Sequence, residues 1–303
     1  MVANRITQSQ DKTLLAHVSI LLLMVAFGFF APFLADIYRA GIAGMQMVTL
    51  RIVGATVVFW LAAPFCKRQR VPLKDLAIIF VASFFGILFS QGGLVYGGSL
   101  TSPVNVSVEC TSQPIFAMLL SAVILHQAIT GKKAFGVALG CIGAVMLALS
   151  KDTIGEQNIN HSILGDVLVL GSQFFYAMYL VLFNGILKRY DVMTFNRWLF
   201  TFASLILLPF TISDMTKIDY CSVSMGTYAE IGYIILVCTF ITFIISAFAL
   251  KHIPPTTVST YTYITPIVAI VISQMMGLGS FGVQQAVATA IIFIGVWIVT
   301  KTK

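Results

Sequence analysis

Ten long apolar runs, separated by short polar breaks, constrain the fold of this chain more than any other feature of its sequence. Each run is long enough to cross the roughly 30 Å hydrocarbon core of a bilayer as an α-helix. Segments 21–30, 76–89 and 231–250 do not alternate apolar and polar residues, as the ~10-residue strands of membrane β-barrels do. The pattern predicts an all-α membrane protein with ten transmembrane helices, at approximately residues 14–35, 43–65, 74–98, 102–126, 133–150, 162–187, 195–213, 228–250, 254–277 and 283–300.

The chain contains too few charged residues to fold as a soluble domain. Charged residues make up 10% of its 303 residues and hydrophobic residues 58%, whereas soluble domains contain roughly 25% charged residues. A soluble domain of this length needs far more charged side chains to cover its surface. We therefore expect the lipid bilayer to surround the chain, as an integral multi-pass protein of the bacterial cytoplasmic (inner) membrane.

The basic residues orient the ten predicted spans. If both termini are cytoplasmic, the inner segments contain 14 Lys and Arg residues, and the outer segments contain only Arg39, Lys151 and Lys217. Cytoplasmic loops of membrane proteins carry such an excess. The net charge of +7 therefore reflects orientation. We expect no nucleic-acid partner, because the charges are scattered among loops and form no basic face.

An internal repeat divides the chain into two units, residues 1–150 and 151–303. A shift of 152 residues superimposes two long stretches without a gap and places Pro114 on Pro266. Each unit contains five spans, and because five is odd, the second unit enters the membrane from the opposite side. The sequence thus predicts two inverted five-helix repeats, an architecture in which secondary transporters bind substrate near the midplane between the halves.

The proline-marked fourth and ninth spans resemble those of EamA-type transporters in the drug/metabolite transporter superfamily. The resemblance is carried by segments 96–149 and 248–299, which are centred on Ser112-Gln113-Pro114-Ile115-Phe116-Ala117 and Tyr263-Ile264-Thr265-Pro266-Ile267-Val268. Arg51 also stands where this family often carries an arginine. The resemblance implies two five-helix units and the export of amino acids, other metabolites or drugs, although some members import.

Pro114 and Pro266 mark the expected binding region. Each lies near the middle of its span and lacks a backbone donor, which leaves carbonyl groups that a cavity or a substrate can use. Two such breaks at equivalent positions favour a cavity between the repeats. A structural kink with no binding role is the alternative.

Hydrogen-bonding side chains approach both prolines along one helix face. On the fourth span they are Asn105, Glu109 and Gln113, which the 152-residue shift relates to Thr257, Tyr261 and Thr265. We predict that these side chains line the cavity. Polar contacts between helices, each worth about 1 kcal/mol or less, are the alternative.

Glu109 lies well inside an apolar run, where a charge costs on the order of 2.5–3.5 kcal/mol and indicates a functional role. Arg51 lies at a similar depth, about 9–12 Å from the outer end of its span at 1.5 Å per residue. The two residues could therefore form an ion pair. Proton coupling through Glu109 is the alternative.

Aromatic and amide side chains supply the remaining candidates for substrate binding. Tyr176 and Tyr179 correspond to Phe27 and Phe30 at a shift of 149 residues. These rings and Tyr96 could stack against a substrate, although ordinary packing is the alternative. Gln91 is a further polar candidate.

The sequence contains no Walker motif, paired carboxylates, metal-ligand cluster or nucleophile–base pair. We therefore expect no cofactor, no metal and no enzymatic activity. Gly136 and Gly140 form a GxxxG pattern that either packs within the chain or joins two protomers, so both a monomer and a homodimer stay open.

Together these features predict a secondary transporter that exports small amphipathic metabolites such as amino acids by alternating access. An importer of nucleotide-type or sugar-phosphate metabolites is one alternative. A membrane enzyme or a non-transporting scaffold is another, from a different functional class.

The topology can be tested with reporter fusions or cysteine labelling. We expect Lys301 inside the cell and Gln157 outside, because this arrangement produces the asymmetry of basic residues. Termini on opposite faces of the membrane would contradict both the topology and the inverted repeat.

Overall fold

The computed structural model describes residues 2–66, 69–101, 106, 109–148, 163–265, 267–268, 271 and 283–302. All regular elements within these ranges are helical, and none is a strand. In chain order the α-helices are α1 (Val2–Phe27), α2 (Phe30–Arg39), α3 (Gly44–Ala62), α4 (Leu73–Ser83), α5 (Gly93–Gly98), α6 (Gln113–Ile124), α7 (Gly131–Ala148), α8 (Ile163–Leu182), α9 (Asn184–Arg189), α10 (Val192–Met215), α11 (Met225–Ile235), α12 (Thr242–Leu250), α13 (Pro255–Thr260) and α14 (Val283–Lys301).

Six helical segments in the described ranges are long and apolar enough to cross a membrane. They are Lys12–Arg39, Gly44–Phe65, Leu73–Gly98, Ile163–Leu182, Val192–Met215 and Met225–Leu250. Shorter apolar helices, Gln113–Ile124 and Ala286–Lys301, lie in the fourth and tenth predicted spans. Helix α7 lies in the fifth span and α13 begins the ninth. The all-helical class and the membrane character agree with the sequence, and the count of ten spans stays a prediction.

Two long spans change their winding midway. The third contains a π-helical segment at Phe84–Gly92, and the eighth contains one at Leu236–Ile241. π-Helical turns are rare and often occur at functional sites. In the eighth span, the hydroxyl groups of Thr239 and Thr242 donate to the carbonyl groups five residues earlier, at 2.8 and 2.9 Å. Side chains therefore satisfy backbone groups where the winding is wider.

Helix boundaries recur at the 152-residue shift that relates the fourth and ninth spans. The boundaries at Leu73, Phe84 and Gly98 correspond to those at Met225, Leu236 and Leu250. The third and eighth spans therefore share not only a hydropathy pattern but also the position at which α-helix changes to π-helix.

Three of the main helix contacts join spans that correspond in the two predicted repeats. Helix α3 packs against α10, α6 against α13, and α7 against α14. Helix α8 packs against the π-helical segment Phe84–Gly92 and α5, and α1 packs against α12. The two halves of the sequence therefore interlock, and each covers apolar surface of the other.

The closest of these contacts is between α7 and α14, and it depends on glycine. A Cβ atom added at Gly295 would lie 2.6 Å from the Gly140 backbone nitrogen and 2.8 Å from the Gly136 carbonyl oxygen. One added at Gly140 would lie 2.5 Å from the Tyr263 ring. The GxxxG pattern thus packs within the chain, which was one of the two predicted alternatives.

Polar residues at or near helix ends meet at two separate places. Asp75 accepts hydrogen bonds from Arg189 and Tyr190, and Lys251 donates to the Tyr190 carbonyl at 2.6 Å. The bond to Asp75 raises the pKa of Tyr190. Elsewhere, Gln46 Nε2 donates to the Asp214 carbonyl at 2.9 Å. The first group joins helix ends that the charge pattern predicts to be cytoplasmic, and the second joins helix ends predicted to lie outside.

Gly295→Ala should destabilise the protein, because its Cβ would meet backbone atoms of α7 that cannot move independently. Such overpacking typically costs roughly 1–3 kcal/mol. Gly232→Ala is the matched control, since nothing lies within 4 Å of a Cβ at that helical position. Thermal unfolding of the purified variants should give a lower midpoint for Gly295→Ala only. An unchanged midpoint would contradict the close contact between α7 and α14.

Candidate functional site

Helix α3 carries a fully buried guanidinium group, since the Arg51 side chain is only 1% exposed. Its Nε donates to Thr239 Oγ1 at 2.7 Å, and its Nη2 donates to the Cys238 carbonyl oxygen at 3.0 Å. The guanidinium carbon lies 4.9 Å from the centre of the Phe30 ring. The third nitrogen, Nη1, is buried and has no hydrogen-bond partner. A charged donor therefore remains unused inside the protein.

Both acceptors of Arg51 belong to the π-helical segment Leu236–Ile241. Thr239 uses its own hydrogen to bond the Ile234 carbonyl, so its oxygen is oriented to accept from Arg51. The wider winding thus presents a hydroxyl and a carbonyl to the same guanidinium. The sequence alone indicated Arg51 but gave no sign of these partners.

Two stacked aromatic pairs occupy corresponding positions in the first and sixth spans. The Phe27 and Phe30 rings are 4.8 Å apart, and the Tyr176 and Tyr179 rings are 5.9 Å apart. Tyr176 lies near Arg51, so the structure brings two predicted site residues together. Tyr179 packs against Phe243 and against Gly86, where an added Cβ would lie 2.6 Å from the ring. Its contacts match the packing alternative.

Pro114 is buried and occupies the first turn of α6. The chain turns at Thr111 and Ser112, and the Ser112 backbone N–H donates to the Glu109 carbonyl at 3.0 Å. Proline is well tolerated at a helix start, where its missing N–H removes no intrahelical bond. Pro114 therefore begins a helix after a break and does not bend a continuous one. Its counterpart Pro266 and the site candidate Asn105 lie outside the described residues.

The predicted ion pair between Glu109 and Arg51 is not formed. The ion pairs of the described residues are Arg39–Asp36, Arg189–Asp75 and Lys217–Asp214. Glu109 Oε2 is buried without a hydrogen-bond partner, and Asp166 of the sixth span acts on Glu109 electrostatically. Asp166 itself accepts a hydrogen bond from Thr101. Glu109 therefore has an acidic neighbour in place of the expected arginine.

The ninth-span candidates pack mainly against the first span. Tyr261 and His17 share a 2.8 Å hydrogen bond, and Thr265 donates weakly to Met24 Sδ at 3.7 Å. Thr257 and Gln113 are buried in α13 and α6, which are in contact. These positions match the alternative of polar contacts between helices.

Tyr96 and Gln91 lie in the third span. Tyr96 lines an apolar groove of about 560 Å³ together with Met45, Leu88 and Phe210. Phe210 is 79% exposed, so this groove opens at the surface of the bundle. Gln91 makes a local hydrogen bond to Ser90 Oγ at 3.3 Å.

The described ranges contain no group of three or more His, Cys, Asp or Glu side chains that could hold a metal ion. All five cysteines are free. The groups around Arg51 offer charge, hydrogen bonds and aromatic contact.

Several known proteins resemble this chain in sequence. The Bacillus subtilis protein named uncharacterized transporter YdfC is 24% identical over 243 residues, which cover 78% of this chain and 76% of that protein. YetK of the same organism, also named an uncharacterized transporter, is 21% identical over 84% of this chain and 77% of its own. An uncharacterized transporter of Archaeoglobus fulgidus is 27% identical over 69% of this chain and 70% of its own.

A solved crystal structure of a protein has the same fold. It superposes with a TM-score of 0.71 at 14% identity and covers 96% of both chains. The family model for EamA-like transporters matches residues 14–149 and 163–301, which is nearly the whole chain. The predicted resemblance is confirmed, and the chain is a membrane protein that belongs to the EamA-like transporter family.

Proposed function

We propose that the chain is a secondary transporter that exports small amphipathic metabolites, amino acids above all, by alternating access. The observation that carries this proposal is the buried Arg51, which bridges the two predicted repeats. It extends from α3 of the first repeat to Thr239 and Cys238 of the second. A charge within a membrane protein indicates function by default, because it is expensive to bury.

Contacts between the halves support an exchange of two conformations. Corresponding spans pack against each other, and in inverted repeats such contacts can close the path on one side and then on the other. At the predicted cytoplasmic end, Asp75 of the first repeat binds Arg189 and Tyr190 of the second. We propose that this group closes the cytoplasmic side. Both termini would then be cytoplasmic, in a bacterial inner membrane.

The distribution of positive charge favours a substrate with little negative charge. Arg51 is the single buried Lys or Arg among the described residues. Nucleotides and sugar phosphates carry several negative charges, which generally require several basic side chains in the cavity. Import of such anions is therefore the weaker alternative. A membrane enzyme or scaffold is also disfavoured, because the curated relatives are named as transporters.

Glu109 is the proposed proton carrier. Its Oε2 atom is buried without a hydrogen-bond partner, and no basic residue pairs with it in the described ranges. Asp166 acts on it with a like charge, so protonation of one carboxyl group relieves repulsion between the two. Such a pair is suited to binding and releasing one proton in each transport cycle.

Glu109→Gln should abolish transport driven by a pH gradient, because Gln preserves shape and hydrogen bonding but cannot bind a proton. Uptake into inside-out vesicles across a set pH gradient is the measurement. Glu230→Gln is the matched control, since Glu230 lies in α11 near Asp36, away from the proposed coupling pair. A wild-type pH dependence in Glu109→Gln would rule out its coupling role.

Alternating access can be tested at Cys238, which is fully buried beside Arg51. In a variant with Cys238 as its single cysteine, Asp75→Ala should accelerate alkylation by a small hydrophilic thiol reagent, since the cytoplasmic contacts are lost. Hydrogen bonds to charged groups contribute about 1.5–3 kcal/mol, so the open population should rise about tenfold.

The control for this experiment is Asp36→Ala, which removes an exposed ion pair with Arg39 at the other end. It should leave the rate of Cys238 alkylation unchanged from the cytoplasmic side. Equal alkylation rates in both variants and the parent would count against Asp75 as part of a cytoplasmic gate.

A further inference from the structure

The charge of Arg51 has no acidic counter-ion among the described residues. A guanidinium carries five N–H donors and no acceptor, and Arg51 uses only neutral oxygens, from Thr239 and Cys238. None of the ion pairs formed in the described ranges includes Arg51. The buried Nη1 remains unpartnered. Leaving a charged group both buried and unpaired is strongly unfavourable.

We propose that Arg51 binds the carboxylate group of the transported substrate through Nη1. This inference rests on the proposed transport function and names the chemical group that the site recognises. Arginine pairs well with carboxylates, because its planar donors match their oxygen atoms and both partners are charged. One carboxylate neutralises the single buried cation, whereas a phosphate ester would leave excess negative charge.

The protein holds the guanidinium in place before any ligand arrives. Thr239 fixes Nε, the Cys238 carbonyl fixes Nη2, and Phe30 covers one face. Thr239 is itself fixed by its bond to the Ile234 carbonyl. Because the side chain is already ordered, binding loses little conformational entropy. The nitrogen without a partner, Nη1, remains for a hydrogen bond to a ligand.

The surroundings of Arg51 define the rest of the substrate. Phe30 and Tyr176 provide aromatic surface from the first and sixth spans. No carboxylate acts on Arg51 in the described part of the chain, so a substrate amine has no counter-ion beside it. The carboxylate should therefore be required for binding, and the amine should contribute little. The class is a small monocarboxylate with an aliphatic or aromatic body, which includes amino acids.

Two ligand series separate these groups. The aromatic series is phenylalanine, phenylalanine amide, 3-phenylpropionate and phenethylamine, and the aliphatic series is leucine, leucinamide, 4-methylpentanoate and 3-methylbutylamine. Binding to the purified protein is measured by thermal stabilisation, and transport by counterflow in liposomes. In at least one series, both carboxylates should bind at least tenfold more tightly than the amide and the amine.

Substitutions at and beside Arg51 test whether this residue causes the preference for carboxylates. Arg51→Gln should remove the preference for carboxylates, and Arg51→Lys should retain part of it as a point charge. Thr239→Val preserves the shape but loses the oxygen that fixes Nε, so it should weaken carboxylate binding without improving amine binding. If Arg51→Gln fails to fold, the same contact is tested in the protein that retains Arg51. There, bound carboxylates should protect Cys238 from alkylation by the thiol reagent, and amides and amines should not.

Binding and transport distinguish the two proposals. If amides or amines bind as tightly as the acids, or no acid binds, the carboxylate inference is wrong. An unchanged carboxylate preference in folded Arg51→Gln would also overturn it. Transport of amines alone would preserve the transport function and reject the inference. Binding of carboxylates through Arg51 without counterflow would support the inference and contradict the proposed function.

Discussion

The structure depends on the fact that lipid offers no hydrogen bonds to the backbone. This constraint explains why every regular element in the described ranges is helical. Where the eighth span departs from α-helical winding, Thr239 and Thr242 bond backbone carbonyls. Arg51 donates a hydrogen bond to a further backbone carbonyl, that of Cys238. The candidate site thus lies where side chains from both halves complete the bonding of an irregular helix.

Hydropathy was sufficient to predict the all-helical class and the membrane character, because burial in lipid acts on whole segments. The expected fifth span, 133–150, corresponds to α7 at Gly131–Ala148, and the tenth, 283–300, to α14 at Val283–Lys301. The breaks were not predictable in this way. The interruption between α1 and α2 falls at Gly28, where an added Cβ would lie 2.5 Å from Val268. The approach at Gly28 depends on a residue far away in the sequence, so local hydropathy does not reveal it. A π-helical turn is as apolar as the α-helix on either side of it, so hydropathy does not reveal it either.

The site was predictable only in part, because sequence determines depth in the membrane better than direction around a helix. Arg51 and Glu109 lie at similar expected depths. Arg51 nevertheless contacts the eighth span, whereas Glu109 lies near Asp166 on the sixth. A periodicity of 3.6 residues gives relative faces within one helix but not the neighbour that each face meets. The same reason explains why the contact between His17 and Tyr261 could not be inferred.

The proposed carboxylate contact would connect substrate recognition with the proposed movement of the two halves. Arg51 reaches from the first predicted repeat to the second, so opening the site to either side would change the surroundings of its charge. An unpaired guanidinium loses stabilisation when it is enclosed away from water, whereas a pair with a carboxylate is nearly neutral and is enclosed at lower cost. The loaded transporter should therefore pass through the closed state more readily than the empty one. A buried cation without a counter-ion, unfavourable for stability alone, would in this way couple reorientation to the presence of substrate.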